Sequence, residues 1–368
     1  MNVATLNDAR ERANAQRLAI IDCDIHPAPK SPLDLQPYMT QRWRDHMNTF
    51  GGHVRQALVG QEAHPRMTAR GMRTDALPEN GPAGSDLELM RRQHLDVNGV
   101  EHAILIPLGG GVSEERNPDY AAALMHAANE WQLASWIDQD RRLKGSLIVS
   151  QEHIEHSVHE IEKRAGDSRF RQIIMSPKPV EPLGSRRYWP IYEAASRAGL
   201  PVAFHPVLAG GGHPSSGIGW PTYYMQDHYS FVGLMQNAIS SFVFEGAFEQ
   251  FPELKVVSVE NGFSWAPNLC WRMDKHFERM RAEVPHLKSK PSDYVRHHIW
   301  FTTQPMEETQ DPDHLRDIMG WIGWDRLLFS SDYPHWDFDD PRYAFRMHLT
   351  PQERAMIYRD NARALYRL

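Results

Sequence analysis

Two acids and a histidine alternate in the stretch IDCDIHP, residues 21–27, directly behind an apolar run. Alternate side chains of a β-strand share a face, so Asp22, Asp24 and His26 would point the same way. Carboxylate oxygens and imidazole nitrogens are ligands of hard and borderline divalent cations. The stretch therefore predicts either part of a metal site or merely a polar strand end, and residues elsewhere must decide.

Three more residues of metal-ligand type follow apolar runs: His205 in AFHP, Glu260 in SVEN and Asp332 in FSSDYPH. Taken singly, such a histidine can be a core residue, and such an aspartate can be a helix N-cap. Together they could hold a divalent ion that keeps a position open for water or substrate. A bound ion can lower the pKa of water to about 7 and polarise a carbonyl group.

The runs that carry these residues belong to a regular alternation of strand-like and helix-like segments. Eight β-rich runs are predicted at 18–26, 101–108, 142–150, 170–177, 200–206, 254–261, 297–303 and 325–332. Helical spacing marks 119–137, 156–166 and 187–199. This alternation favours an α/β fold, the (β/α)8 TIM barrel, in which the carboxyl ends of all strands converge on one site. An open doubly wound sheet is the alternative, but no G-x-G-x-x-G follows the first strand.

The domain organisation predicted is an N-terminal extension, residues 1–17, followed by a single barrel domain, residues 18–368. Between the first two strands, residues 27–100 hold a long segment rich in Pro, Gly, His and Arg. In a barrel this inserted loop emerges at the catalytic face, where long loops serve as lids or interfaces. A solvated excursion that packs on the barrel is the alternative.

Composition narrows the function classes. The net charge of −7 and the absence of a long basic run argue against nucleic acid as a partner. No run approaches the ~18 apolar residues of a membrane span, and the polar first 17 residues resemble no secretory signal. Only two cysteines occur, Cys23 and Cys270, which favours a reducing cytoplasm over a disulfide framework.

The motifs DCDIH, FHP, VENGFSWAPNLCWRMDK and LLFSSDYPHWD resemble the amidohydrolase superfamily. Within it, the chain is similar from about residue 18 onward to the amidohydrolase-related (amidohydrolase 2) group. That group includes aminocarboxymuconate-semialdehyde decarboxylase, γ-resorcylate decarboxylase and 5-carboxyvanillate decarboxylase. The resemblance implies one divalent metal ion held by Asp24, His26, His205 and Asp332. Zinc is the metal expected for these ligands, with manganese or magnesium as alternatives.

Two departures from the group bear on the reaction. Asp24 stands where many relatives have histidine or glutamate, and Glu260 stands where several decarboxylase relatives place a catalytic histidine. A carboxylate donates a proton poorly at neutral pH unless burial raises its pKa. His335, three residues after Asp332, could replace the missing histidine, or it could be an ordinary loop residue.

Three functions follow as hypotheses. The first is a metal-dependent hydrolase of a small cyclic or aromatic compound, in which Asp332 or Glu260 takes a proton from water that attacks a carbonyl carbon. The alternative is a non-oxidative metal-dependent decarboxylase or lyase of a hydroxyaromatic or unsaturated carboxylic acid. A second alternative is a barrel that binds a ligand without catalysis.

Substrate contacts are predicted from charge and aromatic character. Arg73 could pair with an anionic substrate, although surface arginines are common. Phe263, Trp265 and Trp336 could wall an aromatic pocket, with core packing as the equal alternative. The partners expected are a small-molecule substrate and copies of the chain, because the aromatic, helically spaced segment 223–252 suggests a homodimer or higher oligomer.

Overall fold

Eight parallel β-strands, hydrogen-bonded to one another in chain order, form the centre of the protein. The computed structural model describes residues 18–51, 71–108, 115, 117–206 and 222–368, so the predicted extension 1–17 lies outside the described residues. The strands are β1 (Ile20–Ile25), β2 (Val100–Leu105), β3 (Leu143–Ile148), β4 (Phe170–Met175), β5 (Val202–Phe204), β6 (Val256–Ser258), β7 (Ile299–Thr302) and β8 (Leu327–Leu328).

The ring of strands closes between β1 and the residues that follow β8. The Cys23 N–H donates to the Phe329 carbonyl at 3.0 Å, and the His26 N–H donates to the Tyr333 carbonyl at 2.8 Å. Each predicted apolar run corresponds to one strand of this ring. The (β/α)8 barrel prediction is confirmed, and the open doubly wound alternative is wrong because strand order follows chain order and the edges pair with each other.

Helices alternate with the strands and present their apolar residues to them. They are α1 (Gln41–Phe50), α2 (Leu87–Met90), α3 (Pro118–Ser135), α4 (Ile154–Arg164), α5 (Trp189–Ala198), α6 (Tyr224–Tyr229), α7 (Phe231–Phe244), α8 (Ala247–Gln250), α9 (Ala266–Met280), α10 (Pro291–His298), α11 (Pro312–Ile322), α12 (Pro351–Ala355) and α13 (Asn361–Tyr366). A π-helical turn, Arg91–Leu95, continues α2. No helix in the described ranges has the length and apolar character that crossing a membrane requires.

Local sequence signals explain where these helices begin and end. α3 begins after Asn117, whose side chain accepts the N–H groups of Asp119 and Tyr120 at 3.1 and 3.2 Å, and Pro118 occupies the first helical position. α5 ends at Gly199, which adopts the left-handed conformation at φ 65°. The three helices predicted from periodicity are therefore present as α3, α4 and α5.

The described part of the segment between β1 and β2 returns to the carboxyl end of the barrel. The Arg73 N–H donates to the Pro334 carbonyl at 2.9 Å, and the Trp336 N–H donates to the Gly71 carbonyl at 2.9 Å. These bonds join the segment to the loop after β8. A lid or interface role for 27–100 stays a prediction.

The segment 223–252, expected to be a long helix, is divided into α6, α7 and α8. Gly246, at φ 77°, separates α7 from α8 because its left-handed backbone ends the helical path. Aromatic side chains on α6 and beside it are exposed, with Tyr223 at 71% and Tyr229 at 78%. The oligomeric contact predicted for this segment stays a prediction.

Candidate metal centre

Four residues of metal-ligand type meet at the carboxyl ends of three strands. Asp24 and His26 stand at the end of β1, His205 directly follows β5, and Asp332 lies in the loop after β8. All four are buried, and one ligand atom from each lies within 4.8 Å of the others. The structure therefore brings together the four side chains for which the sequence predicted ligation.

The orientation of His26 directs one ring nitrogen into this cluster. Nδ1 donates to the Ile106 carbonyl at 2.8 Å, so Nε2 is the nitrogen that can offer a lone pair to an ion. Nε2 lies 3.1 Å from Asp24 Oδ1 and 2.8 Å from Asp332 Oδ1. The lone pairs of an imidazole nitrogen and of two carboxylate oxygens repel one another unless a proton or a cation lies between them. A divalent cation would bind all three atoms at once.

Buried carboxylate oxygens without hydrogen-bond donors in the described part of the chain are a second indication that the cluster is a cation site. Both carboxylate oxygens of Asp24 and the Oδ2 atom of Asp332 are buried without a well-directed hydrogen-bond donor among the described residues. Leaving a buried carboxylate oxygen unsatisfied is costly, and coordination to a metal is one of the usual remedies. The donor set of two carboxylates and two imidazoles is that of a single divalent ion.

The charges in the cluster reinforce one another. Burial alone would raise the pKa of Asp24, but His26 and His205 outweigh it and hold that pKa below its usual range. Burial would also raise the pKa of Asp332, which His335 and His26 lower instead. Burial would lower the pKa of His205, yet Asp24 and Glu260 raise it to about 9. Both aspartates are thus ionised, which suits a cation site.

Glu260 lies beside the four residues and in contact with one of them. Its Oε2 atom is 3.0 Å from His205 Nε2, and its backbone N–H donates to Thr302 Oγ1 at 3.0 Å. Burial and the charge of Asp332 raise its pKa. Glu260 and Asp332 have positive φ angles of 55° and 62°, which non-glycine residues rarely adopt and which occur often at functional sites.

His335, for which the sequence left a catalytic and an ordinary loop role open, also reaches the cluster. Its Nδ1 atom lies 2.5 Å from Asp332 Oδ1, and its ring meets that of His26 edge-on with centroids 4.6 Å apart. The His335 N–H donates to the Asp332 carbonyl at 2.8 Å, so the turn itself fixes the side chain over the aspartate.

The four residues predicted to contact substrate differ in their surroundings. Phe263 is fully buried in the core, and the Trp265 indole donates to the Asn261 carbonyl at 2.8 Å, so both positions match the core-packing alternative. The Arg73 guanidinium is paired with Asp75 at 2.7 and 3.0 Å. Trp336 is half exposed beside the site.

Trp336 belongs to an aromatic group whose other members, Tyr224 and His228, were not predicted as site residues from the sequence. Its indole N–H donates to the Tyr224 hydroxyl at 3.1 Å, and the ring of His228 lies 5.6 Å from Tyr224 and 6.1 Å from Trp336. His228 Nε2 is 3.0 Å from Asp337 Oδ2. The sequence signal was the pair of polar rings one helical turn apart in YYMQDHY, which was interpreted only as part of an oligomer contact.

A second missed group is a buried acid–histidine pair, Asp22 and His94. His94 Nε2 lies 2.7 Å from Asp22 Oδ2, and neither side chain is exposed. Asp22 belongs to the opening alternation, but His94 stands in the long polar segment, where nothing in the sequence distinguishes it from surface histidines.

The fold and the site define a metal-binding barrel enzyme of the amidohydrolase superfamily. A family model described as amidohydrolase matches residues 21–368, and the chain belongs to that family. Among curated proteins, γ-resorcylate decarboxylase of Polaromonas sp. is 24% identical over 297 residues, which cover 77% of this chain and 88% of the relative. The enzyme of the same name from Rhizobium sp. is 22% identical over 298 residues, with the same coverage.

Solved structures with this fold include two decarboxylases. Dihydroxybenzoic acid decarboxylase from Polaromonas sp., with bound manganese and 2-nitroresorcinol, has a TM-score of 0.66 at 19% identity and covers 95% of this chain and 97% of its own. 5-Carboxyvanillate decarboxylase from Novosphingobium aromaticivorans, with manganese and 4-hydroxy-3-methoxy-5-nitrobenzoic acid, has a TM-score of 0.67 at 19% identity and covers 96% and 97%.

These relatives correct the expected reaction. The prediction of a hydrolase is wrong, since the curated relatives are named as decarboxylases of a hydroxyaromatic acid. It rested on Asp24 and on Glu260, a carboxylate in place of a histidine, yet the structure brings His335 within hydrogen-bond distance of Asp332. The preference for zinc finds no specific support either, because the metal in both solved relatives is manganese.

Proposed function

We propose that this chain is a non-oxidative, metal-dependent decarboxylase of a hydroxyaromatic carboxylic acid. The observation that carries the proposal is the buried cluster of Asp24, His26, His205 and Asp332 at the mouth of an amidohydrolase barrel. A relative that aligns with 77% of this chain is named γ-resorcylate decarboxylase, which makes a dihydroxybenzoate the first substrate to test.

The four residues of the cluster would hold the ion, and manganese is the first metal to test. Carboxylate oxygens suit Mn²⁺, imidazole is acceptable to it, and both solved relatives contain it. When bound, the ion supplies positive charge for a substrate carboxylate and a neighbouring phenolate oxygen.

The aromatic group beside the centre would receive the ring of the substrate. Trp336, Tyr224 and His228 present ring faces and edges within 6.3 Å of one another. Small-molecule sites are commonly lined by aromatic side chains with a few polar groups that fix orientation. The His228 imidazole, held by Asp337, supplies such a polar group for a ring hydroxyl.

Decarboxylation requires one proton at the ring carbon. The bond between the ring and the carboxyl carbon breaks, CO2 leaves, and the electron pair that remains on the ring carbon takes the proton. His335 would supply it through Asp332: the proton passes from His335 Nδ1 to Asp332 Oδ1, 2.5 Å away, and from that same oxygen to the ring carbon, which leaves His335 neutral and Asp332 ionised again. His335 is 8% exposed, so it can regain a proton from solvent.

The experiment is product analysis of the Mn²⁺-loaded protein with 2,6-dihydroxybenzoate in D2O. We expect equimolar CO2 and resorcinol with one deuterium at the carbon that lost the carboxyl group, and loss of turnover after chelation that Mn²⁺ restores. A panel of mono- and dihydroxybenzoates and 5-carboxyvanillate extends the test. Failure of every acid to release CO2 would contradict the proposal, and oxygen from H2¹⁸O in an organic product would indicate a different reaction.

A further inference from the structure

The buried pair Asp22–His94 lies next to both carboxylate residues of the metal centre. Asp22 is on β1, two residues before Asp24, and its two carboxylate oxygens have different hydrogen-bond partners. Oδ1 accepts the backbone N–H of Asp24 at 3.2 Å and that of Ser331 at 3.0 Å. One carboxylate oxygen thereby ties the backbone of Asp24 to the residue that immediately precedes Asp332.

The other oxygen, Oδ2, is bound by His94 at 2.7 Å. Asn98 Nδ2 lies 3.1 Å from His94 Nδ1, so with the amide donating there, the proton of the ring is on Nε2 and points at Asp22. A donor on Oδ2 fixes the carboxylate plane and leaves Oδ1 aimed at the two backbone N–H groups. His94 therefore orients Asp22, which in turn orients the two backbones.

His94 also contacts Tyr333, the residue that follows Asp332. Its ring stacks on Tyr333 with centroids 5.6 Å apart and planes 8° apart, and its neighbour Gln93 accepts the Tyr333 hydroxyl at 2.8 Å. Both residues belong to the π-helical turn Arg91–Leu95, an irregularity found frequently at functional sites.

The backbone of Asp332 needs such support. Its φ of 62° is unfavourable for a residue with a side chain, so the conformation persists only where the flanking residues are held. Ser331 is held by Asp22, Tyr333 is held by the Arg91–Leu95 turn, and the Asp332 N–H itself donates to the Asp24 carbonyl at 3.0 Å.

From these contacts we infer that His94 and Asp22 are positioning residues of the metal centre, which align the carboxylates of Asp24 and Asp332 for one ion. The inference rests on the metal site of the proposed function but not on decarboxylation. Groups that hold metal ligands in place typically account for 10–100-fold in metal affinity.

The test is the dissociation constant for Mn²⁺ and the electron paramagnetic resonance spectrum of bound Mn²⁺, measured without substrate. His94→Phe keeps a ring against Tyr333 but removes the donor to Asp22, and His94→Gln restores a donor. His298→Phe is the matched control, since His298 is also buried, binds the Leu254 carbonyl at 2.8 Å and stacks on Phe248 at 4.3 Å.

We expect His94→Phe to weaken Mn²⁺ binding at least ~10-fold and to alter the spectrum of bound Mn²⁺. His94→Gln should stay within a fewfold of wild type, and His298→Phe should bind Mn²⁺ as wild type does. Equal Mn²⁺ affinity in His94→Phe and His298→Phe would overturn the inference, as would His94→Gln binding no better than His94→Phe.

A second variant, Asp22→Asn, covers the case in which His94→Phe does not fold. Asparagine keeps an oxygen for the two backbone N–H groups but places an NH2 opposite the His94 donor, so Mn²⁺ affinity should fall; unchanged affinity would overturn the inference. Wild type that binds Mn²⁺ but releases no CO2 contradicts the proposed function alone, whereas wild type and all variants binding Mn²⁺ equally contradict this inference alone.

Discussion

The Asp332 N–H donates to the carbonyl of Asp24 at 3.0 Å, which joins the first and the last residue of the metal-ligand set through their main chains. The same bond belongs to the seam where the barrel closes between β8 and β1. The predicted metal centre therefore lies at the point where the barrel closes, and we expect metal binding there to change the stability of the whole barrel.

Removal of the metal should lower the stability of the protein. An ion that binds only the folded chain stabilises it by about 2.7 kcal/mol when its concentration is 100 times its dissociation constant. Thermal unfolding with chelator and with graded Mn²⁺ should therefore show a Tm that rises with metal concentration. His205→Asn, which removes one predicted ligand, should reduce that rise, and a Tm indifferent to Mn²⁺ in wild type would contradict the metal centre.

Asp332→Asn should weaken both metal binding and turnover. The change removes one negative charge from the predicted ligands and replaces the carboxylate that His335 faces with an amide that cannot carry the proton, so we expect turnover of 2,6-dihydroxybenzoate to fall by roughly 10²–10⁴-fold. Asp325→Asn is the control. Asp325 lies just before β8, whereas Asp332 lies just after it, and the Asp325 side chain is 58% exposed and pairs with Arg326. Steady-state kinetics and Mn²⁺ titration would separate the two; equal kinetics in both variants would remove Asp332 from the site.

His335→Gln should separate proton supply from metal binding. The histidine contacts Asp332 but is not in the predicted ligand set, so kcat should drop by about 10²–10⁴-fold while Mn²⁺ affinity stays within a fewfold of wild type. His314, whose side chain is 72% exposed, provides His314→Gln as a control with unchanged kcat. Unchanged kcat in His335→Gln would leave the proton source elsewhere.

Trp336→Ala should raise KM for the aromatic acid more than it lowers kcat. The indole is part of the aromatic group beside the centre, and its removal takes away ring contact with the substrate but no proton donor. Trp271→Ala is the control, since Trp271 is 58% exposed and packs against Trp321 on α11. A KM for 2,6-dihydroxybenzoate that is the same in both variants would place substrate binding away from Trp336.

Asp339 should make stability depend on pH. Burial raises its pKa to about 7, although the Met306 N–H, which donates to Oδ2 at 3.0 Å, opposes the shift. The unfolded chain titrates near 3.9, so between about pH 4 and 7 the folded state binds more protons and stability falls as pH rises. Asp339→Asn removes this decline, by roughly 1.4 kcal/mol for each unit of pKa difference.

Urea unfolding of wild type and Asp339→Asn at pH 5 and pH 8, at equal metal saturation, measures this effect. The stability difference, variant minus wild type, should be larger at pH 8. The exposed Asp325→Asn should show no such change, and a difference independent of pH would contradict burial of an ionisable Asp339.

Much of the metal centre was predictable because it lies on strand ends. Apolar runs mark the strands and a barrel brings their carboxyl ends together, which predicted that five side chains converge: Asp24, His26, His205, Glu260 and Asp332. The choice of all but Glu260 as ligands came from the resemblance to the amidohydrolase superfamily. The side chains that hold them were not predictable. His94 and Asp22 are distant in sequence and become partners only through a loop whose path no periodicity reveals. The same is true of His228 and Asp337, which pair in the aromatic group beside the centre.

The aromatic residues after β6 show a different limit. The aromatic character of Phe263 and Trp265 suggested that they wall a pocket, with core packing as the equal alternative. Glu260 and Gly262 both have positive φ, so the chain turns and carries Phe263 into the core. Gly262 has a φ of 64°, which side chains rarely adopt, and a Cβ there would lie 2.8 Å from Glu307 Oε1. Neither property can be recognised from a glycine in the sequence alone.

The pairing of Asp24 with Asp332 also has a consequence for biosynthesis. A ribosome delivers residue 24 early and residue 332 only after β1 to β8 have all been made, so a nascent chain lacks one of the four predicted ligands until translation has passed residue 332. Metal loading must then follow synthesis of the strand-bearing part of the chain, and prematurely terminated products that lack Asp332 should leave the ribosome without a competent centre.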